Sequence, residues 1–196
     1  MLKTIKPEIR IIGWDDSPFT FRDKNTLLIG VVCRGGTQID GVITTRIKVD
    51  GNDSTRKIIQ AIRKNPHYKQ LRLIMLEGIT FGGFNIVDIN KIYKSTKLPV
   101  LVVIRTNPNL KNIRKSLMKF KDHEKRWRII ERAGKIREFR VRSYPRGRNT
   151  VYCQYMGIEA PEVEKILNLT SIHSLTPEPI RIAHLIGYGL KGRKIK

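Results

Sequence analysis

A chain of 196 residues, 40% of them hydrophobic, is long enough to bury the core of a single domain. No window of about 18 apolar residues occurs, which excludes a membrane-spanning helix, and the first ten residues lack the apolar run and small-residue cleavage site of a secretory leader. The 39 lysines and arginines against 17 aspartates and glutamates leave a formal net charge of +22, whereas solubility asks for a magnitude of only about 2–8 in a small domain. The excess points to a polyanionic partner. Nucleic acid fits first, because basic side chains release the counterions condensed on phosphates. An anionic membrane surface would call for a basic amphipathic anchor helix, and none is evident, nor is an obligate protein partner. The chain is expected in the cytoplasm. Its two cysteines, Cys33 and Cys153, lie in apolar, strand-like surroundings and are expected reduced and buried. With no Cys-x-x-Cys or His-x-x-x-His spacing, a zinc site lacks its ligands.

Residues 9–13 form a short apolar run that predicts a buried strand, broken by Trp14-Asp15-Asp16-Ser17-Pro18. Residues 27–33 predict a second strand, Arg34-Gly35-Gly36-Thr37 a turn, and residues 39–49, rich in Thr, Val and Ile, a third strand. Links this short favour an antiparallel meander. The period then changes. Asp50-Gly51-Asn52-Asp53-Ser54 is a turn with a good helix cap, and Ile58, Ile59 and Ile62 recur at helical spacing until Asn65 and Pro66 end the helix. Residues 71–76 predict a central strand buried on both faces, closed by Glu77-Gly78. A helix is expected over 84–93, a buried strand over 100–104 and a helix over 109–120. Three antiparallel strands followed by right-handed β-α-β crossovers make an α/β fold with a mixed sheet and helices on both faces, the ribonuclease H-like layout. The last third predicts a helix over 121–133, a hairpin of 136–141 with 151–156, and helices over 161–169, with proline in its first turn, and over 179–190, before a frayed basic tail. The whole reads as one domain over 1–196, with a core over 1–120 and a basic C-terminal elaboration over 121–196.

Carboxylates gather at the strand ends. Asp15 and Asp16 follow the first strand, Glu77 follows the strand over 71–76, and Asp50 and Asp53 lie between the third strand and the first helix. Ligands of such sheets collect at the carboxyl ends of strands, near the switch of strand order. In a ribonuclease H-like order the first strand and the strand over 71–76 are neighbours, so their terminal carboxylates converge. Such a cluster repels itself unless a divalent cation neutralises it. Mg2+ takes oxygen ligands and keeps several waters, so two or three carboxylates suffice. With a phosphodiester as substrate, such ions position water and stabilise both the attacking and the leaving oxygen.

Plainer readings stay open beside these: a turn at Asp15-Asp16-Ser17-Pro18, a helix cap at Asp53-Ser54, a solvated helix position at Asp88. Residues 78–85 are a glycine-rich loop containing Gly82, Gly83, Phe84 and Asn85. Its amides could hold a phosphate, its Phe81 or Phe84 could wedge at a base, or it could simply lead into a helix. It lacks the Gly-Lys-Ser/Thr ending of a Walker loop. Glu178 and Arg181 stand three apart and can pair. His184, one turn on, reads more readily as structural. From 119 to 148 runs a dense set of cations that includes Arg126, Arg146 and Arg148, with Trp127, Phe139 and Tyr144 among them. Arginine grips phosphate bidentately and aromatics stack on unpaired bases. A solvated charged face is the alternative.

Four segments, in order, resemble an archaeal family related to endonuclease V, long classed as uncharacterised and now called endonuclease dU. They are Ile11-Ile12-Gly13-Trp14-Asp15-Asp16-Ser17-Pro18-Phe19, Val49-Asp50-Gly51-Asn52-Asp53-Ser54-Thr55, Leu76-Glu77-Gly78-Ile79-Thr80-Phe81-Gly82-Gly83-Phe84-Asn85-Ile86-Val87-Asp88 and Pro177-Glu178-Pro179-Ile180-Arg181-Ile182-Ala183-His184. The resemblance spans nearly the whole chain. It implies an endonuclease V-like fold, a role in DNA repair, and Mg2+- or Mn2+-dependent cleavage of DNA at or near deoxyuridine, the product of cytosine deamination. Endonuclease V places an Asp after its first strand, matched by Asp15, and a Glu at the start of the following helix, where Asp53 is nearest. It places an Asp-Gly after its fourth strand, where this chain has Glu77-Gly78, a ligand one methylene longer. The resemblance therefore names Asp15, Asp53 and Glu77 as catalytic metal ligands, with Asp16 or Asp88 in support. Gly82, Gly83, Phe84, Asn85, Arg126, Arg146, Arg148 and Arg181 are the expected substrate contacts. The His-, Pro- and Arg-rich motif of endonuclease V is replaced here by Gly82-Gly83-Phe84-Asn85, so its preference for inosine does not transfer. Two alternatives remain on the residues alone: a non-catalytic DNA- or RNA-binding protein, and an endonuclease acting on inosine-containing or RNA substrates.

Overall fold

The structure, a computed structural model, describes residues 5–20, 22–142 and 149–190. A meander of three antiparallel strands, β1 (Arg10–Asp16), β2 (Asn25–Arg34) and β3 (Gln38–Lys48), opens the chain. Helix α1 (Ser54–Lys64) crosses over to β4 (Leu73–Glu77), which lies parallel to β1. A small hairpin of β5 (Thr80–Phe81) and β6 (Asn85–Ile86) leads to α2 (Ile89–Thr96) and to β7 (Val100–Ile104), parallel to β4. Helices α3 (Leu110–Leu117) and α4 (His123–Arg132) precede the antiparallel pair β8 (Arg137–Arg140) and β9 (Thr150–Met156). Helices α5 (Ala160–Thr170) and α6 (Glu178–Leu190) close the chain. The sheet order is β3-β2-β1-β4-β7-β9-β8, the mixed α/β, ribonuclease H-like layout that the element order predicts. Among the described residues, no helix is long and apolar enough to cross a membrane.

Strand residues alternate between two cores because successive side chains leave a strand on opposite faces. On one face, Ile12, Trp14, Ile74, Leu76, Val100 and Val102 pack under α1, α2 and α4, through Ile58, Ile62, Ile92 and Ile130. On the other, Ile11, Leu73, Met75, Leu101 and Val103 pack under α5 and α6, through Val163, Ile166, Leu167 and Ile180. Cys33 and Cys153 are buried free thiols. Burial pushes both up to about 12, which keeps them protonated and inert.

Two local readings of the sequence are corrected. The helix expected over 84–93 begins only at Ile89. Gly82 and Gly83, at φ +53° and +84°, turn the chain into the β5–β6 hairpin, a conformation that glycine adopts without the Cβ penalty. Asp88 then starts the helix by accepting the Lys91 N–H at 2.9 Å. Ile86, Val87, Ile89 and Ile92 mimic one helical stripe although Ile86 ends β6, Val87 lies in the link and only Ile89 and Ile92 are helical. The first strand runs on through Asp16, so Asp15 and Asp16 are strand residues that point to opposite faces.

Helix α6 approaches β1 more closely than a side chain would permit. A Cβ at Gly13 would lie 2.5 Å from the Pro179 carbonyl carbon and 2.6 Å from its Cβ. Gly187, further along the helix, also packs on β1 and the residue after it, where a Cβ would lie 3.1 Å from the Ser17 Cα. Gly13→Ala should therefore force α6 off the sheet and cost about 1–3 kcal/mol, read from urea unfolding. A variant as stable as the parent would show that this close contact is not required.

Candidate active site

The paired register of the two central strands builds the site. Gly13 lies opposite Met75 and Trp14 opposite Leu76, so Asp15 and Glu77 come next, side by side. Asp15 shares the parity of Ile11 and Gly13, and Glu77 that of Leu73 and Met75. Both therefore face α6. Its close approach delivers His184, whose Nδ1 lies 2.7 Å from Asp15 Oδ2. Asp15, Glu77 and His184 each present a ligand atom, all within 4.8 Å of one another. Asp16 points to the opposite face, where its carboxylate accepts the Gly82 N–H. Strand β7 contributes from its own end: Arg105, one residue past the strand, brings Nη2 to 3.4 Å from Glu77 Oε1.

The electrostatics of this group are strained. Asp15 is 4% exposed, and its burial, then the charge of Glu77, push its carboxyl up to about 9. Burial also raises Asp16, against the lowering effect of the Gly82 N–H. Among the described residues, the second oxygen of Glu77 is buried with no hydrogen-bond partner, which is costly for a carboxylate. A divalent cation fits this donor set. It would satisfy the orphaned oxygen and remove the repulsion, and two carboxylates with an imidazole suit Mn2+ as well as Mg2+. The group opens on a cleft of about 420 Å3, whose remaining wall is Asp16, Ser17, Pro18, Phe19 and Tyr188. The Tyr188 ring stands one helical turn beyond His184, at 4.7 Å.

The other expected site residues lie elsewhere. Asp53 is not in the cluster. At the start of α1, its Oδ1 accepts the Lys48 N–H at 3.1 Å and the Asn85 amide at 2.8 Å. Asp88 caps α2 and faces Arg132 at 3.6 Å. The loop over 78–85 is closed on itself rather than open as a phosphate cradle. Phe84 donates its N–H to Asp50 and packs on Phe120, Asn85 is fully buried and holds Ser54 and Lys48, and Phe81 is buried. Arg126 is also buried, and its guanidinium is occupied by Asp122 and by the carbonyls of Gly51, Phe84 and Asp50, which makes it a brace. Arg181 is held bidentately by Glu178 at 2.8 and 2.7 Å. Arg146 and Arg148 lie outside the described residues. Sequence reasoning missed Arg105 and took His184 as structural. Arg105 follows a strand end just as the carboxylates do, so the strand-end rule would have found it had it been applied to cations as well. The hydrogen-bond partner of His184, Asp15, lies 169 residues away in the chain, and local spacing carries no sign of it.

Comparison with known proteins places the chain in a family. Residues 7–191 match the family described as endonuclease dU. A UPF0215 protein of Methanosarcina mazei is 48% identical over 188 residues, covering 95% of this chain and 92% of that protein. A UPF0215 protein of Pyrococcus furiosus is 41% identical over 189 residues, covering 95% and 94%. Among solved structures, a protein of unknown function from Archaeoglobus fulgidus aligns with TM-score 0.81 at 35% identity, over 93% of this chain and 98% of that one. Endonuclease V of Ciona intestinalis, in complex with DNA containing an inosine, aligns with TM-score 0.62 at 14% identity over 96% and 87%, a likeness of fold. With its sequence matched almost from end to end, the chain belongs to the endonuclease dU family.

Proposed function

We propose that the chain is a divalent-metal-dependent endonuclease of DNA repair that cuts DNA at or near deoxyuridine. The observation that carries this reading is the convergence of Asp15, Glu77 and His184 with a buried, unpartnered oxygen on Glu77. Family membership supports the endonuclease class and the deoxyuridine preference. The net charge of +22 supports a nucleic-acid substrate.

Asp15 and Glu77, with His184, would hold Mg2+ or Mn2+. Bound there, the ion supplies the charge that positions water and offsets the charge building on the phosphodiester. The chain's own groups do the rest. Asp16, tied to the Gly82 N–H, fixes the end of β1 and so the aim of Asp15. His184 holds Asp15 by a hydrogen bond that sets its orientation. Arg105 is exposed and reaches Glu77 only loosely, so its guanidinium is free to turn to a phosphate, where it pairs bidentately. Pro18, Phe19 and Tyr188 form an apolar wall beside these groups. An aromatic face there can stack on a base drawn from the duplex, as the reading of a lesion requires.

The test uses end-labelled oligonucleotides with a single deoxyuridine, a single deoxyinosine or neither, each in Mg2+ and in EDTA. Metal-dependent cutting of the deoxyuridine strand alone is expected. Equal cutting of all three, or cutting of the deoxyinosine strand alone, would overturn the substrate assignment, and binding without any cutting would leave a nucleic-acid-binding protein. Asp15→Asn should abolish cutting and spare DNA binding. Arg105→Ala should lower kcat by about 100-fold, with a smaller change in KM.

The pH dependence follows from Asp15, whose proton is held from its ordinary 3.8 up to about 9. A cation must expel that proton, so Mn2+ affinity, read by calorimetry, should rise with pH across this window. In the cation-free protein the folded state keeps a proton that the unfolded chain has released, so stability falls as pH rises through the same window. Glu77→Gln removes the repulsion. It should raise the Tm of the cation-free protein at about pH 8 while abolishing cutting. A lower Tm would show that the pair is not under strain.

A further inference from the structure

Helices α3 and α4 form a hairpin over residues 110–132 that carries nine lysines and arginines against three acidic residues. Four of these cations are engaged. Arg114 faces Glu124 and covers Trp127, Lys119 lies near Asp50 and over Phe84 and Phe120, Arg126 is the buried brace, and Arg132 faces Asp88. The other five, Lys111, Lys115, Lys121, Lys125 and Arg128, are exposed and form no ion pair among the described residues. Lys111 and Lys115 are one turn apart on α3. Lys125 and Arg128 are three apart on α4, just after Lys121 in the connecting turn. Like charges at such spacings destabilise a helix. Asp122 lies near Lys125, but the acidic side chains of the hairpin are outnumbered three to one, and a polyanion outside the molecule would offset the remaining repulsion.

This hairpin is no loose basic arm. Arg126 donates to the carbonyl of Asp50 at 3.0 Å, the Asp50 N–H donates to Gly82 O at 2.7 Å, and the Gly82 N–H donates to the carboxylate of Asp16. Three hydrogen bonds thus join α4 to the end of β1 that carries Asp15. The cations are held at a fixed offset from the candidate active site, on the opposite face of the same sheet edge.

We propose that the α3–α4 hairpin docks the sugar–phosphate backbone of the DNA duplex beside the point of cutting, with Arg126 as the positioning residue that sets the offset. The inference rests on the nuclease reading for the identity of its partner. The chemistry favours backbone over bases, since exposed lysines are point charges that contact phosphate without reading sequence. It favours a duplex over a single strand because Trp127 and Phe120, the aromatics of the hairpin, already lie beneath Arg114 and beneath Lys119 and Arg126, which leaves no open stacking platform.

The test compares two triple variants of equal charge. Lys121→Ala/Lys125→Ala/Arg128→Ala strips the hairpin. Lys64→Ala/Lys69→Ala/Lys94→Ala strips exposed lysines at the opposite end of the strands, at the ends of α1 and α2 and before β4. Binding of a fluorescein-labelled, deoxyuridine-bearing duplex is followed by anisotropy in EDTA across a salt series, with the single strand as a second probe. The hairpin triple should bind the duplex at least about tenfold more weakly, and its salt slope should fall by about 3, roughly one per lost phosphate contact. The opposite-end triple should stay near the parent. Equal weakening by both triples would reduce the effect to net charge, and no weakening by the hairpin triple would remove the docking surface; either overturns the proposal and leaves the nuclease reading standing. A larger loss for the single strand than for the duplex would overturn the choice of duplex. If the parent binds neither probe, the nuclease reading fails together with the proposal.

Discussion

Asp15 and Glu77 stand side by side at the ends of two parallel strands, where both cannot be charged without repulsion, and the rest of the structure is organised by that proximity. The parallel register of β1 and β4 leaves them no other placement. Burial removes the water that would screen them, so Asp15 holds its proton far above the usual carboxylate range. The orphaned oxygen of Glu77 adds a desolvation cost. A folded protein keeps such a cost only where surrounding packing enforces it and function repays it. A divalent cation would make ligands of both carboxylates and so relieve each of these costs.

The enforcement comes from both faces of the sheet. On one, Gly13 and Gly187 let α6 lie against β1 and bring His184 onto Asp15. On the other, the β5–β6 hairpin, the turn at Asp50 and the guanidinium of Arg126 form a closed hydrogen-bonded unit that ends on Asp16. Adjacent aspartates on one strand thus divide the labour. Asp15 faces Glu77 and His184, and Asp16 ties it through Gly82 and Asp50 to the basic hairpin. The acidic centre and the basic surface are two faces of one edge.

The architecture was legible because strand and helix periods differ and because the apolar runs at 71–76 and 100–104 are too dense to be anything but central strands. From that order the meeting of Asp15 with Glu77 followed. The limits of the reading have physical causes. Asp53 lies close in sequence to a strand end, but the chain turns at Asp50 and Gly51 before reaching it, so its carboxylate serves Lys48 and Asn85 instead. The glycines at 82 and 83 advertise a left-handed turn as strongly as they advertise a phosphate loop, and burial decides between the two. Arg126 is indistinguishable in sequence from its solvated neighbours; only the packing of α4 shows that it is spent on carbonyls. His184 depends on a contact between the first strand and the last helix, which no local pattern encodes.

The measurement that bears most directly on the central claim is anomalous diffraction from crystals of the protein soaked in Mn2+. A single strong peak bounded by Asp15, Glu77 and His184, lost in Glu77→Gln crystals, is the result predicted. A peak at Asp53 or Asp88, or none at the three-residue group under conditions where the protein cuts DNA, would contradict it.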